Sequence, residues 1–274
     1  MADAPNPLSV HDSAGGFAGL PPGGLITRAV RRGRLRRVRR EPLLWLSGGP
    51  VDAPAAAYPA PAGLLPVLLH DQYGPERWWQ DEDHVRPDRC SDPDDHDAET
   101  VLRDYWNAVV PDPEEGEEGV ELIAPFGRSW PGTARPGTPA AEPRAAADAV
   151  AGGLLARGWL GGGPRLAMVP ARRGADVPAA IGWCGPTNHD DDTARVSAVL
   201  RSWEDRFGAR VLAIGHDRLD LSVAAPPRTL AEALPVAAEH FAFCPDNVWQ
   251  GSGTVRDYAA EALTGEAHWS FWWD

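Results

Sequence analysis

The stretch DDDTARVSAVLRSWEDRFGARVLAIGHDRLDLSVAA, residues 190–225, holds a helix, a stop and a hairpin in succession. Asp190, Asp191, Asp192 and Thr193 offer N-cap side chains, and their negative charge suits the positive end of a helix dipole. Val196, Leu200, Trp203 and Phe207 then fall four, three and four residues apart, an apolar stripe on one helix face. Gly208 follows as a helix-ending glycine, because a residue without Cβ adopts the left-handed conformation at no steric cost. Arg210 to Ile214 and Arg218 to Ala224 read as two strands around Gly215-His216-Asp217. In the second strand Leu219, Leu221 and Val223 alternate with Arg218, Asp220 and Ser222.

Further elements extend outward from this unit. Thr229-Leu-Ala-Glu232 is a capping box that opens a helix to about Phe243, with Pro235 inside it as a kink or a delayed start. Ala145 to Arg157 reads as an Ala-rich helix, Arg165 to Pro170 as a strand, and Ala175 to Gly182 as a short helix or turn. Thr254 to Leu263 forms a last helix and His268 to Trp273 a last strand. The order α–β–α–α–β–β–α–α–β implies an α+β fold, a mainly antiparallel sheet flanked by helices. The first half is looser and β-rich. Residues 25–48 and Leu64 to Leu69 are strand candidates, and Asp97 to Val110 reads as a helix that Pro111 ends. Residues 1–24 are read as a flexible arm and 25–130 as an N-terminal β-rich, acidic region. The proline-rich stretch 131–144 is read as a linker and 145–274 as a C-terminal α+β domain.

The chain has 274 residues and a net charge of −13, and all 26 of its basic residues are arginine. A chain without lysine forms no lysine Schiff base and no phosphate-binding-loop lysine contact. Its three cysteines are too few and too scattered for a disulfide framework. No basic start leads into an apolar run, and prolines interrupt the longest uncharged stretch. The expectation is a cytoplasmic, reduced protein with no membrane segment. Charge is uneven. Residues 1–60 carry 8 Arg against 4 acids, whereas residues 71–121 carry 18 acids against 4 Arg.

Four sequence runs carry a resemblance: VLRSWEDRFGARV (199–211), LSVAAPP (221–227), AAEHFAFCPDNVWQG (237–251) and the ending WSFWWD (269–274). They resemble the bacterial domain of unknown function family 4253, over roughly Pro164 to Asp274. The resemblance implies a family and brings no activity and no catalytic residues.

Several constellations bear on function. His240 and Cys244 lie four apart, and Cys184 and His189 form a second pair, so a Cys2His2 zinc site is conceivable on ligand chemistry. A metal-dependent enzyme would use these four with Asp246 as acid or base. The spacing matches no standard finger. The plainer reading has Cys244 as a small buried hydrophobe, Asp246 as a turn cap and His240 as a hydrogen-bonded side chain, with no cofactor. Eight arginines between Arg28 and Arg40 (28, 31, 32, 34, 36, 37, 39, 40) could grip phosphates, but the overall negative charge repels polyanions, so nucleic acid is disfavoured. The aspartates 92, 94, 95 and 97 lack the glycine and glutamate of a calcium loop.

Twelve tryptophans is a high count, and most are expected in cores. Trp78 and Trp79, in a polar acidic setting, are read as exposed, and with Trp249 they are the candidate binding residues. The leading expectation is a non-catalytic interaction protein that engages a basic or aromatic protein partner, of the kind that neutralises a basic toxin.

Overall fold

The computed structural model describes residues 6–10, 17–32, 37–79, 84–112 and 116–274, and for residues 10, 29–32 and 37–39 the backbone alone. Seven strands make one sheet: β1 (Gly23–Arg32), β2 (Arg37–Ser47), β3 (Leu64–Leu69), β4 (Arg165–Pro170), β5 (Arg210–Ile214), β6 (Arg218–Ser222) and β7 (His268–Trp272). Their order across the sheet is β1-β2-β4-β3-β5-β6-β7. Every neighbouring pair is antiparallel except β3 and β5, which run parallel through Leu68–Ala213 and Leu69–Ile214. The fold is α+β, and β4 lies between β2 and β3, so strands from both sides of residues 131–144 share the sheet.

The helices are α1 (Ala98–Val109), α2 (Gly116–Leu122), α3 (Pro143–Ala156), α4 (Val177–Ile181), α5 (Thr193–Phe207), α6 (Leu230–Phe243) and α7 (Val255–Tyr258). Their ends follow local chemistry. The Asp192 carboxylate accepts from the Ala194 N–H at the start of α5, and Gly208 ends that helix at φ +62°. The Thr229 hydroxyl caps α6 through the Glu232 N–H, and Pro235 sits inside that helix.

Side-chain alternation divides the interior. Leu44, Val67, Leu69, Ala167, Val169, Leu219, Leu221, Trp269 and Phe271 belong to a large core with α1, α4, α5 and α6. Trp45, Leu68, Leu166, Met168 and Ala213 belong to a smaller core on the opposite face, under Ala147, Ala151 and Leu154 of α3. Of residues 1–24, the positions 1–5 and 11–16 lie outside the described residues. Leu8 and Phe17 are buried in the smaller core, where Phe17 meets Trp45 edge-on at 6.0 Å.

One buried charge pair crosses the large core. Glu239 of α6 is fully buried and accepts from Arg206 (2.7 and 2.6 Å), from the Trp203 indole (2.7 Å) and from the Ala134 N–H (2.6 Å). Arg206 also donates to the Ala134 carbonyl at 2.8 Å. The segment 131–144 has neither helix nor strand before Pro143, yet it is bonded along its length. Gly137 N–H reaches the Arg206 carbonyl and Ala140 N–H the Ala224 carbonyl.

Several acids of the segment 71–121 pair with arginines of the second half of the chain. Asp94 meets Arg172 (2.8 Å) and Arg201 (2.5 Å), Asp104 meets Arg195 (3.1 Å), and Glu76 meets Arg165. These pairs are mostly surface-exposed and each contributes about 0–1 kcal/mol. Glu239 differs because it is buried. Glu239→Ala leaves Arg206 and two N–H donors without their acceptor, so urea unfolding is expected to show a loss of about 3–5 kcal/mol. Asp94→Asn is expected to cost about 1 kcal/mol or less. Equal small losses in both variants would contradict this assignment.

Candidate functional site

The strongest concentration of functional side chains lies where β3 and β5 end side by side. Two parallel strands that end together leave an open mouth at their carboxyl ends, a recurrent place for ligands in parallel sheets. His70 follows β3, and its N–H donates to the Ile214 carbonyl at 3.0 Å. Gly215 follows β5, and its N–H closes the turn on the Arg218 carbonyl at 2.7 Å. A Cβ at position 215 would lie 3.0 Å from the His70 ring, so glycine lets the imidazole rest against this turn.

Beneath His70 lies Asp220 of β6, fully buried. Its Oδ1 accepts from the Trp159 indole at 2.9 Å and lies 2.8 Å from His268 Nε2. Its Oδ2 stands 3.7 Å from His70 Nε2, and neither atom has a hydrogen-bond partner among the described residues. Burial alone would raise the Asp220 carboxyl. The His268 and His70 imidazoles and the Trp159 N–H outweigh burial and hold it well below the usual carboxylate range. Asp220 is therefore a carboxylate.

The mouth is a cavity of about 530 Å³ lined by His70, His84, His216, Arg77, Arg218 and Trp159, among others. His216 Nε2 and His84 Nδ1 lie 3.0 Å apart, within hydrogen-bond distance. Arg218 lies 5.2 Å over the Trp159 ring, and Arg77 lies 5.0 Å over the Tyr73 ring. A guanidinium stacked on an aromatic face keeps its in-plane N–H groups free for an anion. Two carboxylates also line the cavity. Asp71 accepts from the Trp78 indole (2.9 Å) and from the Tyr73 N–H (2.7 Å), whereas Asp217 stands in the turn beside His216.

None of these residues stands in a sequence motif. The available signals were a histidine directly after the apolar run LLPVLL and another in the turn between β5 and β6. His70, His84, His216 and His268 together are half of the eight histidines of the chain.

The residues chosen from sequence are placed elsewhere. No group of three or more His, Cys, Asp or Glu side chains able to hold a metal converges among the described residues, so Cys184, His189, His240 and Cys244 do not form one site. Cys244 is buried, and its thiol donates to the Trp272 carbonyl at 2.9 Å. Burial pushes that thiol above its usual range. Cys184 is half-buried, and its thiol is raised by the same cause. His240 is buried against Trp203, Trp269 and Phe271, with Nδ1 3.1 Å from the Tyr258 hydroxyl. His189 packs on the Tyr105 ring at 4.5 Å. Asp246 accepts from Gln250 and from the Asp274 N–H, both at 3.1 Å.

Trp78 is 1% exposed, a correction to the exposed position expected of it: its indole N–H finds Asp71, which lets the ring enter the core. Trp79 is half-buried against the same core, and Trp249 is 48% exposed. In the arginine run, Arg28 lies 3.9 Å from Asp88, while the side chains of Arg31, Arg32, Arg34, Arg36, Arg37 and Arg39 lie outside the described residues. No described helix is long and apolar enough to cross a membrane.

The site thus belongs to a mixed-sheet α+β protein with a histidine- and arginine-lined mouth at its parallel strand pair. From β4 onward, residues 165–274 match the family model described as Domain of unknown function (DUF4253). His216, Arg218, Asp220 and His268 come from the matched part, and His70, Arg77, His84 and Trp159 from outside it. Comparison with curated proteins and with solved structures gives no match.

Burial, and secondarily the charge of Arg206, holds His240 well below its ordinary range in the folded chain. Unfolding releases it to a pKa of about 6.5. Below that pH the unfolded state binds the extra proton, so the stabilisation is complete above about pH 6.5 and is lost as pH falls. In urea unfolding between pH 7 and 5, His240→Gln is expected to remove up to about 1.4 kcal/mol per pH unit from the slope. His189, lowered mainly by burial, leaves a residual slope. An unchanged slope would contradict the neutral, buried assignment of His240.

Proposed function

We propose that the chain is a binding protein whose ligand is a small anion held in the mouth at the ends of β3 and β5. One observation carries this reading. Arg77 and Arg218 lie over aromatic rings and have no ion-pair partner among the described residues, and they line one cavity together with three histidines. Most of the other described guanidiniums near this sheet are engaged by acids. The volume of about 530 Å³ suits a small molecule, since ligand pockets commonly span about 300–1,000 Å³.

A second reading, a non-catalytic interaction protein with a basic protein partner, keeps the support of Trp249. That ring is 48% exposed and packs edge-on against Phe241 at 5.8 Å. Exposed tryptophans are frequent anchors of protein interfaces. The internal pairing of Asp94, Asp104 and Glu76 leaves less free charge for such a partner than composition alone suggests.

Titration with inorganic phosphate, followed by NMR of the imidazole signals, tests the first reading. Signals of His70, His84 and His216 are expected to move, and those of His189 and His240 to stay. Arg218→Gln is expected to weaken binding about tenfold or more, the loss of a charged hydrogen bond. Asp217→Asn is expected to strengthen it by removing a like charge. Phosphate that moves no imidazole signal of the mouth would contradict the reading.

A further inference from the structure

We infer that this mouth is also catalytic, with His70 as general base and His216 as general acid in the hydrolysis of a small phosphodiester. The inference rests on the anion-binding reading and adds a reaction to it. A phosphodiester carries a single negative charge that two guanidiniums can match. Its hydrolysis needs a proton removed on one side of phosphorus and a proton delivered on the other. The cavity supplies both kinds of group. His70 lines the cavity, and the Oδ2 of the Asp220 carboxylate lies 3.7 Å from its Nε2. His216 lies one residue beyond the Gly215 that the His70 ring rests against, and it is within hydrogen-bond distance of His84. The nucleophile in this proposal is water.

The step balances without a further reactant. The His70 imidazole takes a proton from water as the water oxygen forms a bond to phosphorus. The bond from phosphorus to the leaving oxygen breaks, and that oxygen takes a proton from His216. The products are a phosphomonoester and an alcohol, and solvent exchange resets both histidines. Asp220 is a positioning residue, because it acts through His70. The substrate is small, because the net charge of −13 and the acidic segment repel a long polyanion.

The test uses the full chain with 2′,3′-cyclic CMP, followed by phosphorus NMR for both binding and turnover. The wild type is expected to bind and open the ring with a bell-shaped pH–rate profile. His70→Ala and His216→Ala are each expected to lower the rate about 100-fold or more at an unchanged melting temperature. Val120→Ala, at an exposed position outside the cavity lining, is expected to keep the wild-type rate. Asp220→Asn is expected to displace the pH profile, which a purely structural role would not do. Binding without ring opening, or equal turnover by wild type and His70→Ala, would overturn the catalytic inference and leave the anion-binding reading standing. Absence of cyclic CMP binding would overturn the catalytic inference, and absence of inorganic phosphate binding as well would overturn both.

Discussion

A single buried carboxylate, Glu239, fixes how the helical layer meets the rest of the chain. Its two oxygens take a bidentate guanidinium from α5, an indole N–H from the same helix and a backbone N–H from residue 134. An ion buried at this depth is tolerated only when its acceptor capacity is filled, so helices α5 and α6 and the segment before α3 must reach one relative position. Trp203 carries the constraint onward. It stacks on Phe271 at 5.3 Å and meets Trp269 at 5.7 Å, which ties α5 to strand β7. The helices on this face and the strands at this edge of the sheet are therefore set together.

That placement determines what the opposite face of β6 can hold. Leu219 and Leu221 point into the large core, so Asp220, between them, emerges on the other side. There it needs its own partners, and they come from distant parts of the sequence: Trp159 after α3, His268 in β7 and His70 at the end of β3. A second buried charge thus sits where the sheet has its parallel pair, with Oδ1 bonded to Trp159 and His268 and Oδ2 facing His70 at 3.7 Å. The first charge serves architecture and has no access to solvent. The second is equally buried, but its neighbour His70 lines a cavity.

Local structure was well legible in the sequence, and the site was not. The α5 stripe, the Asp192 cap, the Gly208 stop and the hairpin that follows all stand where periodicity and capping placed them. So do the runs Leu64–Leu69 and Arg165–Pro170. These features depend on neighbours within a few residues. The pairing of β3 with β5 joins positions about 145 residues apart, and no periodicity records such a contact. The burial of Trp78 escaped for a related reason. Its polar surroundings suggested solvent, whereas Asp71 supplies the indole with a partner and frees the ring to enter the core. His70, Asp220 and Trp159 are unremarkable in their own segments, and only the fold makes them a group. His240 and Cys244, one helical turn apart, looked like ligands because that spacing puts them on one face, but the face is packed with aromatic rings and backbone acceptors.

The most direct test of the central claim is a crystal structure of the chain grown in the presence of inorganic phosphate. An anion seated in the mouth, within hydrogen-bond distance of Arg218 or Arg77 and of a histidine of the His70, His84 and His216 group, is the predicted result. A structure in which phosphate occupies other surface sites and leaves this mouth to solvent would contradict it.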